Sequence, residues 1–172
     1  MPTTFTGFPS PLGELVLAAS DTGLKGVFFP VHRNRAAPEE QPGWVEDDGR
    51  GPAGALLARV RRQLTEYFDR TRTTFDLPLD AAGSAFERRV WDLLRTIPYG
   101  ATTSYGQLAR RLGDPHATRA VGAANGKNPI PIIVPCHRVV GARGELTGFG
   151  GGLDRKRWLL EHEGVLLMLG RA

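Results

Sequence analysis

Cysteine is nearly missing from this chain: there is one thiol, Cys136, in 172 residues. A single cysteine excludes an internal disulfide framework and a structural zinc site of the multi-cysteine kind. It also leaves no second thiol to displace whatever Cys136 takes up as a thioether. Long hydrophobic runs are missing too, and none approaches the roughly 20 residues of a membrane-spanning helix. The amino terminus lacks the basic, apolar and small-residue regions of a secretory signal. These absences point to a protein of the reducing cytoplasm with no membrane contact. Internal repeats and low-complexity tracts are absent. What remains is an ordinary globular composition, with 41% hydrophobic and 23% charged residues, enough for one large domain or two small ones.

The charge is unevenly spread. Residues 1–82 carry 9 Lys+Arg against 11 Asp+Glu, and residues 83–172 carry 13 against 7. A basic carboxy-terminal half suits a polyanion partner, although a solvated Arg-rich surface would give the same count.

Local patterns divide the chain in the same place. Gly13–Ala19 and Leu24–Phe29 read as strands joined through Asp21-Thr22-Gly23, and residues 31–52 read as a polar surface loop. A helix follows, with Pro52 in its first turn and Leu56, Val60, Leu64 and Phe68 on one face. Thr73–Leu77 reads as a further strand, and Asp80-Ala81-Ala82-Gly83 as a boundary, giving expected domains 1–82 and 83–172. In the second half, Ser84 with Glu87 and Ser104 with Gln107 are capping-box pairs opening two helices. The first of these has Phe86, Val90 and Leu94 on one face and ends at Ile97-Pro98-Tyr99-Gly100. Gly113-Asp114-Pro115 breaks the chain, and Asp114 is the expected N-cap of a third helix bearing Arg119-Ala120-Val121-Gly122-Ala123-Ala124. The last two helices form a candidate helix-turn-helix, a pattern shared by α-hairpins that bind nothing.

Chemistry concentrates in Pro135-Cys136-His137-Arg138. Cationic neighbours favour a thiolate, so Cys136 reads as a candidate low-pKa nucleophile, with a buried inert cysteine as the alternative. Adjacent side chains rarely face each other, which argues against a direct Cys136–His137 hydrogen bond.

The run Asn128-Pro129-Ile130-Pro131-Ile132-Ile133-Val134-Pro135-Cys136-His137-Arg138-Val139-Val140 resembles the active-site segment of the O6-alkylguanine-DNA alkyltransferases. The resemblance continues through Thr103–Ala109, Arg119–Gly122, Gly151-Gly152-Leu153 and Trp158–Gly164. It is looser at Ser10–Gly13 and Gly23-Leu24. It implies an α/β (α+β) fold: an amino-terminal, ribonuclease H-like lobe with a small antiparallel sheet and helix, and a mostly helical carboxy-terminal lobe carrying the helix-turn-helix and active-site loop.

The implied activity is irreversible, single-turnover transfer of an alkyl group from O6-alkylguanine, and from O4-alkylthymine, in DNA to Cys136. It uses no cofactor and no metal, and a flipped-out base. By resemblance, His137 is the base acting through a water, Glu163 its carboxylate partner, and Tyr105 the donor to a ring nitrogen of the departing guanine. Asn128 supports the site. Arg119, Ala120, Gly122, Ser104 and Arg138 contact DNA, with Arg119 filling the vacated place in the stack from the minor groove. Val139, Gly150 and Gly151 contact the base through their backbones. Phe149 and Gly150 depart from members that carry Tyr and Ser there, so no side-chain hydroxyl is offered at Gly150. The implied partner is double-stranded DNA, bound by a monomer. Two other readings of the same residues are a non-catalytic alkylated-DNA lesion-binding protein, whose known relatives lack the acceptor cysteine, and a Cys-His-Glu hydrolase, which leaves Arg119, Tyr105 and the basic half unexplained.

Overall fold

The computed structural model describes residues 2–30 and 41–165. The chain divides into two compact units, Met1–Ala82 and Gly83–Ala172. The fold is mixed α/β, with a small sheet in the first unit and, among the described residues, four of five α-helices in the second. Among the described residues no helix is long and apolar enough to cross a membrane.

Among the described residues the first unit is built on a four-stranded sheet in which Leu24–Phe28 (β3), Gly13–Ala19 (β2), Thr3–Ser10 (β1) and Trp44–Glu46 (β4) lie side by side in that order. Strands β1 (Thr3–Ser10), β2 (Gly13–Ala19) and β3 (Leu24–Phe28) are antiparallel neighbours. The β1–β2 turn closes through Ser10, whose Oγ donates to the Gly13 carbonyl at 2.7 Å and accepts from Leu12 N at 3.0 Å. Gly13 takes φ +105° there, a conformation that side chains rarely adopt. At the β2–β3 turn the Asp80 carboxylate gathers the hydroxyls of Ser20 (2.9 Å) and Thr22 (3.0 Å). Helix α1 (Gly51–Phe68) starts with a proline in its first turn, as its sequence predicts. It buries Leu56, Leu57, Val60, Leu64 and Tyr67, while Phe68 is half-buried and rests against Phe8, with ring centroids 6.3 Å apart.

Three expectations for this unit need correction. β1 is an additional strand, hidden in the sequence because Gly7 and Pro9 interrupt its apolar pattern. The expected 31–52 loop contains a strand, β4 (Trp44–Glu46), paired parallel to β1 with Trp44 opposite Thr3; residues 31–40 lie outside the described residues. The sheet is therefore antiparallel apart from one short parallel edge. Thr73–Leu77 is not a strand, because side chains of α1 take its backbone groups. Gln63 both donates to the Asp76 carbonyl (3.1 Å) and accepts from Asp76 N (3.0 Å), and Arg59 donates to the same carbonyl at 2.7 Å. Only at Leu79 does this segment bridge to Leu24 of the sheet.

The second unit opens with α2 (Ala85–Leu94). Both halves of its Ser84/Glu87 capping box are formed, with Glu87 N donating to Ser84 Oγ at 3.1 Å and Ser84 N to Glu87 Oε1 at 2.9 Å. A two-residue strand, β5 (Thr103–Ser104), leads into α3 (Tyr105–Arg111), capped in the same way by Ser104 and Gln107. Helix α4 (Thr118–Gly126) begins later than expected, with Ala117 at its N-cap. Asp114 instead makes a separate turn: its carboxylate accepts from His116 N at 3.1 Å and its carbonyl from Ala117 N at 3.0 Å. With its side chain spent on His116, Asp114 has nothing to offer the helix.

The apolar face of α2 packs on α4, and buried Trp91 joins the two by donating Nε1–H to the Ala124 carbonyl at 2.8 Å. After the cysteine segment come β6 (Val139–Val140) and α5 (Leu153–His162), a helix that apolar periodicity does not announce. Gly152, at φ +94°, provides the left-handed entry to α5. Replacing Trp91 with Phe keeps an aromatic ring but removes the indole donor, leaving the Ala124 carbonyl with only Lys127 N at 3.2 Å. Chemical denaturation should show a loss of about 0.5–1.5 kcal/mol for that hydrogen bond.

Candidate active site

The cysteine is held by a loop that folds against its own preference. Ile132, β-branched and fully buried, has φ +74°, a region such side chains enter only when their surroundings force them. Asn128 supplies that force. Its Nδ2 donates to the Val134 carbonyl at 2.8 Å, and its Oδ1 accepts from Ile130 N at 3.0 Å. The Val134 N–H closes the loop on the Ile130 carbonyl at 2.9 Å.

A single 3-10 turn, Cys136–Arg138, follows and runs directly into β6. β6 lies parallel to β5, with Thr103 opposite Val139 and Ser104 opposite Val140. This pairing brings Tyr105, the first residue of α3, to the segment that follows the cysteine. From α4, Asn125 Nδ2 donates to the Cys136 carbonyl at 3.4 Å.

At the centre lies a buried charge cluster. His137 Nε2 is 2.7 Å from Glu163 Oε2, and neither side chain has solvent exposure. Arg138 grips both oxygens of the same carboxylate, Nε to Oε1 at 2.7 Å and Nη2 to Oε2 at 3.1 Å. Its Nη1 donates to the Ile97 carbonyl at 2.7 Å, and its guanidinium carbon lies 5.8 Å from the centre of the Tyr99 ring. Glu163 sits at the C-cap of α5, so the last turn of that helix delivers the carboxylate.

Burial alone would raise the Glu163 carboxyl, but hydrogen bonds and charges from His137 and Arg138 outweigh it and bring it to about 2. An ionised carboxylate accepts, so His137 carries its proton on Nε2 and leaves Nδ1 as a lone-pair acceptor. Nδ1 is buried and has no hydrogen-bond partner. Burial holds the His137 imidazole below its ordinary value even though Glu163 pulls the other way. A neutral ring with one open acceptor is a general base awaiting a proton.

The thiol differs from its sequence-based expectation. Cys136 is 5% exposed, and burial pushes it up to about 11, against smaller lowering effects from Asn128, Lys156 and the adjacent backbone. The guanidinium expected to favour the thiolate is spent on Glu163 and Ile97. Because Nδ1 of His137 is unpartnered, no direct hydrogen bond joins it to the sulfur.

The assignment of Arg138 to DNA is corrected for the same reason: it is 6% exposed and its donors point inward. The residues Arg119 and Ala120 of α4 are exposed, and Gly122 on the same helix faces the Tyr105 ring, 3.8 Å from where a Cβ would stand. Ser104 is half-buried and caps α3. Val139 is fully buried and Gly151 is buried, whereas Gly150 is exposed, and a Cβ there would meet only the Gly126 carbonyl oxygen, at 4.0 Å. Among the described residues no group of three or more His, Cys, Asp or Glu side chains is arranged to hold a metal ion.

One residue of the site escaped the sequence reading. Lys156 of α5 is fully buried, and its Nζ donates to the Thr147 carbonyl at 2.6 Å and lies 6.0 Å from the centre of the Tyr105 ring. Burial brings its ammonium down to about 8. The available signal was spacing: Lys156 shares a helix face with Leu159 and Leu160, the buried positions of α5.

Arg138→Ala leaves the buried Glu163 charge without its main partner, and urea unfolding should register a loss of about 3–5 kcal/mol. Arg138→Lys should recover little, since one ammonium cannot span two carboxylate oxygens and the Ile97 carbonyl. Glu163 titrates lower in the folded chain than its ordinary 4.5, so its contribution is complete above that pH and is lost as pH falls toward about 2. Glu163→Gln should flatten stability across that window.

Two family descriptions match the chain: the 6-O-methylguanine DNA methyltransferase ribonuclease-like domain over residues 4–81, and the DNA binding domain of the same proteins over residues 85–165. The chain is 51% identical over 154 residues to the methylated-DNA–protein-cysteine methyltransferase of Mycolicibacterium paratuberculosis, covering 90% of this chain and 88% of that one. It is 57% identical over 166 residues to that of Shigella flexneri, covering 92% and 94%. The crystal structure of Mycobacterium tuberculosis OGT in complex with DNA superposes with a TM-score of 0.81 at 45% identity, covering 95% of this chain and 92% of that one. With both halves matched and the likeness running through almost its full length, the chain belongs to the 6-O-methylguanine DNA methyltransferase family.

Proposed function

We infer that this chain is a DNA repair protein, a methylated-DNA–protein-cysteine S-methyltransferase that moves the alkyl group of O6-alkylguanine, and of O4-alkylthymine, irreversibly onto Cys136. The observation that carries this reading is the His137–Glu163 pair at 2.7 Å beside the only thiol, with His137 Nδ1 left open.

The Cys136 thiol gives its proton to His137 Nδ1 through one bridging water, and the Glu163 carboxylate stabilises the imidazolium that forms. The thiolate attacks the alkyl carbon from behind the C–O bond. The S–C bond forms as the O6–C bond breaks, and the bonding pair stays on O6 and spreads into the ring. Tyr105 Oη donates to a ring nitrogen and eases that charge. The proton released by the thiol returns to the base, leaving guanine and an S-alkylated cysteine. The chain contains no second thiol, so the acceptor is used once.

The base reaches the buried sulfur only after leaving the helix stack, at a cost of a few kcal/mol. Exposed Arg119 on α4 suits a side chain that fills the gap, and Ala120, Gly122 and Ala123 make a surface small enough to lie along a minor groove. The protein acts as a monomer without a cofactor.

Mass spectrometry after incubation with an O6-methylguanine duplex should find one methyl group per chain, on the peptide containing Cys136. Turnover beyond one per molecule, or an unmodified Cys136 peptide, would refute the reading. Cys136→Ala should lose transfer and keep DNA binding. Arg119→Ala should slow transfer from a duplex more than from a single strand, about tenfold for each 1.4 kcal/mol of extrusion energy it no longer offsets.

A further inference from the structure

Tyr105 has one phenolic proton and two neighbours from the same residue. Its Oη donates to the Thr147 carbonyl at 3.2 Å, and Thr147 Oγ1 donates back to Oη at 3.2 Å. The carbonyl is also held by Lys156 Nζ at 2.6 Å. Thr147 therefore touches the phenol twice, once as acceptor and once as donor.

These contacts behave differently when the phenol is needed elsewhere. If Tyr105 turns its proton toward a departing base, the Thr147 carbonyl loses one donor but keeps Lys156, so the acceptor is not orphaned. The Thr147 hydroxyl keeps its own bond to Oη. A hydroxyl that accepts a hydrogen bond is a stronger donor, because the bonds polarise one another. We propose that Thr147 is a positioning residue for alkyl transfer: its carbonyl, pinned by Lys156, parks the Tyr105 proton in the free protein, and its hydroxyl strengthens Tyr105 as a donor once the base is in place. The phenol is shifted upward by burial, and the Thr147 hydrogen bond is what opposes that shift. The charged and titratable groups facing the phenol are Lys156 from α5 and Cys136. Thr147 is exposed in the free chain, so its hydroxyl counts when bound DNA excludes the water that could replace it.

The inference rests on the alkyl-transfer reading, and its test separates the two. Single-turnover rates on one methylated duplex are compared for the wild type, Thr147→Val, Thr147→Ser, Tyr105→Phe and the Tyr105→Phe/Thr147→Val double variant. Thr147→Val keeps shape and carbonyl but lacks the hydroxyl, and should slow transfer about fivefold, the size of one neutral hydrogen bond. Thr147→Ser should stay within about twofold of the wild type, and Thr147→Val should add nothing to Tyr105→Phe, as expected of coupled groups. Duplex affinity should not change. A Thr147→Val rate equal to wild type, a Thr147→Ser as slow as Thr147→Val, or an additive double variant would each overturn the proposal. Should Thr147→Val melt early, Thr147→Ala takes its place with the same expectations. A wild type that leaves Cys136 unlabelled would overturn the alkyl-transfer reading as well.

Discussion

The Glu163 carboxylate is the interaction on which the second unit turns. It meets His137 through one oxygen and Arg138 through both, all three side chains being essentially removed from water. An isolated buried carboxylate is prohibitively unfavourable, and one with excellent bidentate geometry is tolerable. Removal of any one member therefore weakens the other two. Glu163 stands at the end of α5, Arg138 ties the cysteine turn to Ile97 beyond α2, and His137 carries the base. The residues that set the imidazole are thus the ones that dock α5, so the packing of α5 and the readiness of the base rest on the same contacts.

The same burial gives the thiol its resting character. A cysteine held near 11 is a poor thiolate at neutral pH. For an acceptor that works once, this is protective, since stray electrophiles and oxidants attack thiolates. Reactivity is supplied locally by an imidazole whose Nδ1 lone pair has no other partner. The nucleophile is thus kept quiet by desolvation and is activated by proton removal.

Much of this was legible in the chain, for identifiable reasons. Ser84 and Ser104 cap helices as their sequence patterns predict, because a capping box is satisfied within four residues. The α1 stripe is visible because a single apolar face repeats. Cys136 stands out as the lone thiol beside His137, whereas Glu163 and Tyr105, 58 positions apart, are reached through resemblance rather than spacing. Three of the failures share a cause: a side chain spent on a distant or unexpected partner. Arg138 reads as a DNA contact until Glu163 claims it, Asp114 reads as a cap until His116 N takes its carboxylate, and Thr73–Leu77 reads as a strand until Gln63 and Arg59 occupy its backbone. Lys156 was missed because a lysine at a core position breaks the rule by which cores are recognised.

The left-handed backbone at Ile132 leaves this position with no easy substitute. Glycine there would relax the torsion and at the same time empty the apolar volume beneath the acceptor loop; valine or an aromatic residue would keep the penalty. Ordinary routes to a sturdier protein are closed at this position, because local comfort and the placement of the sulfur are set against each other in a single residue.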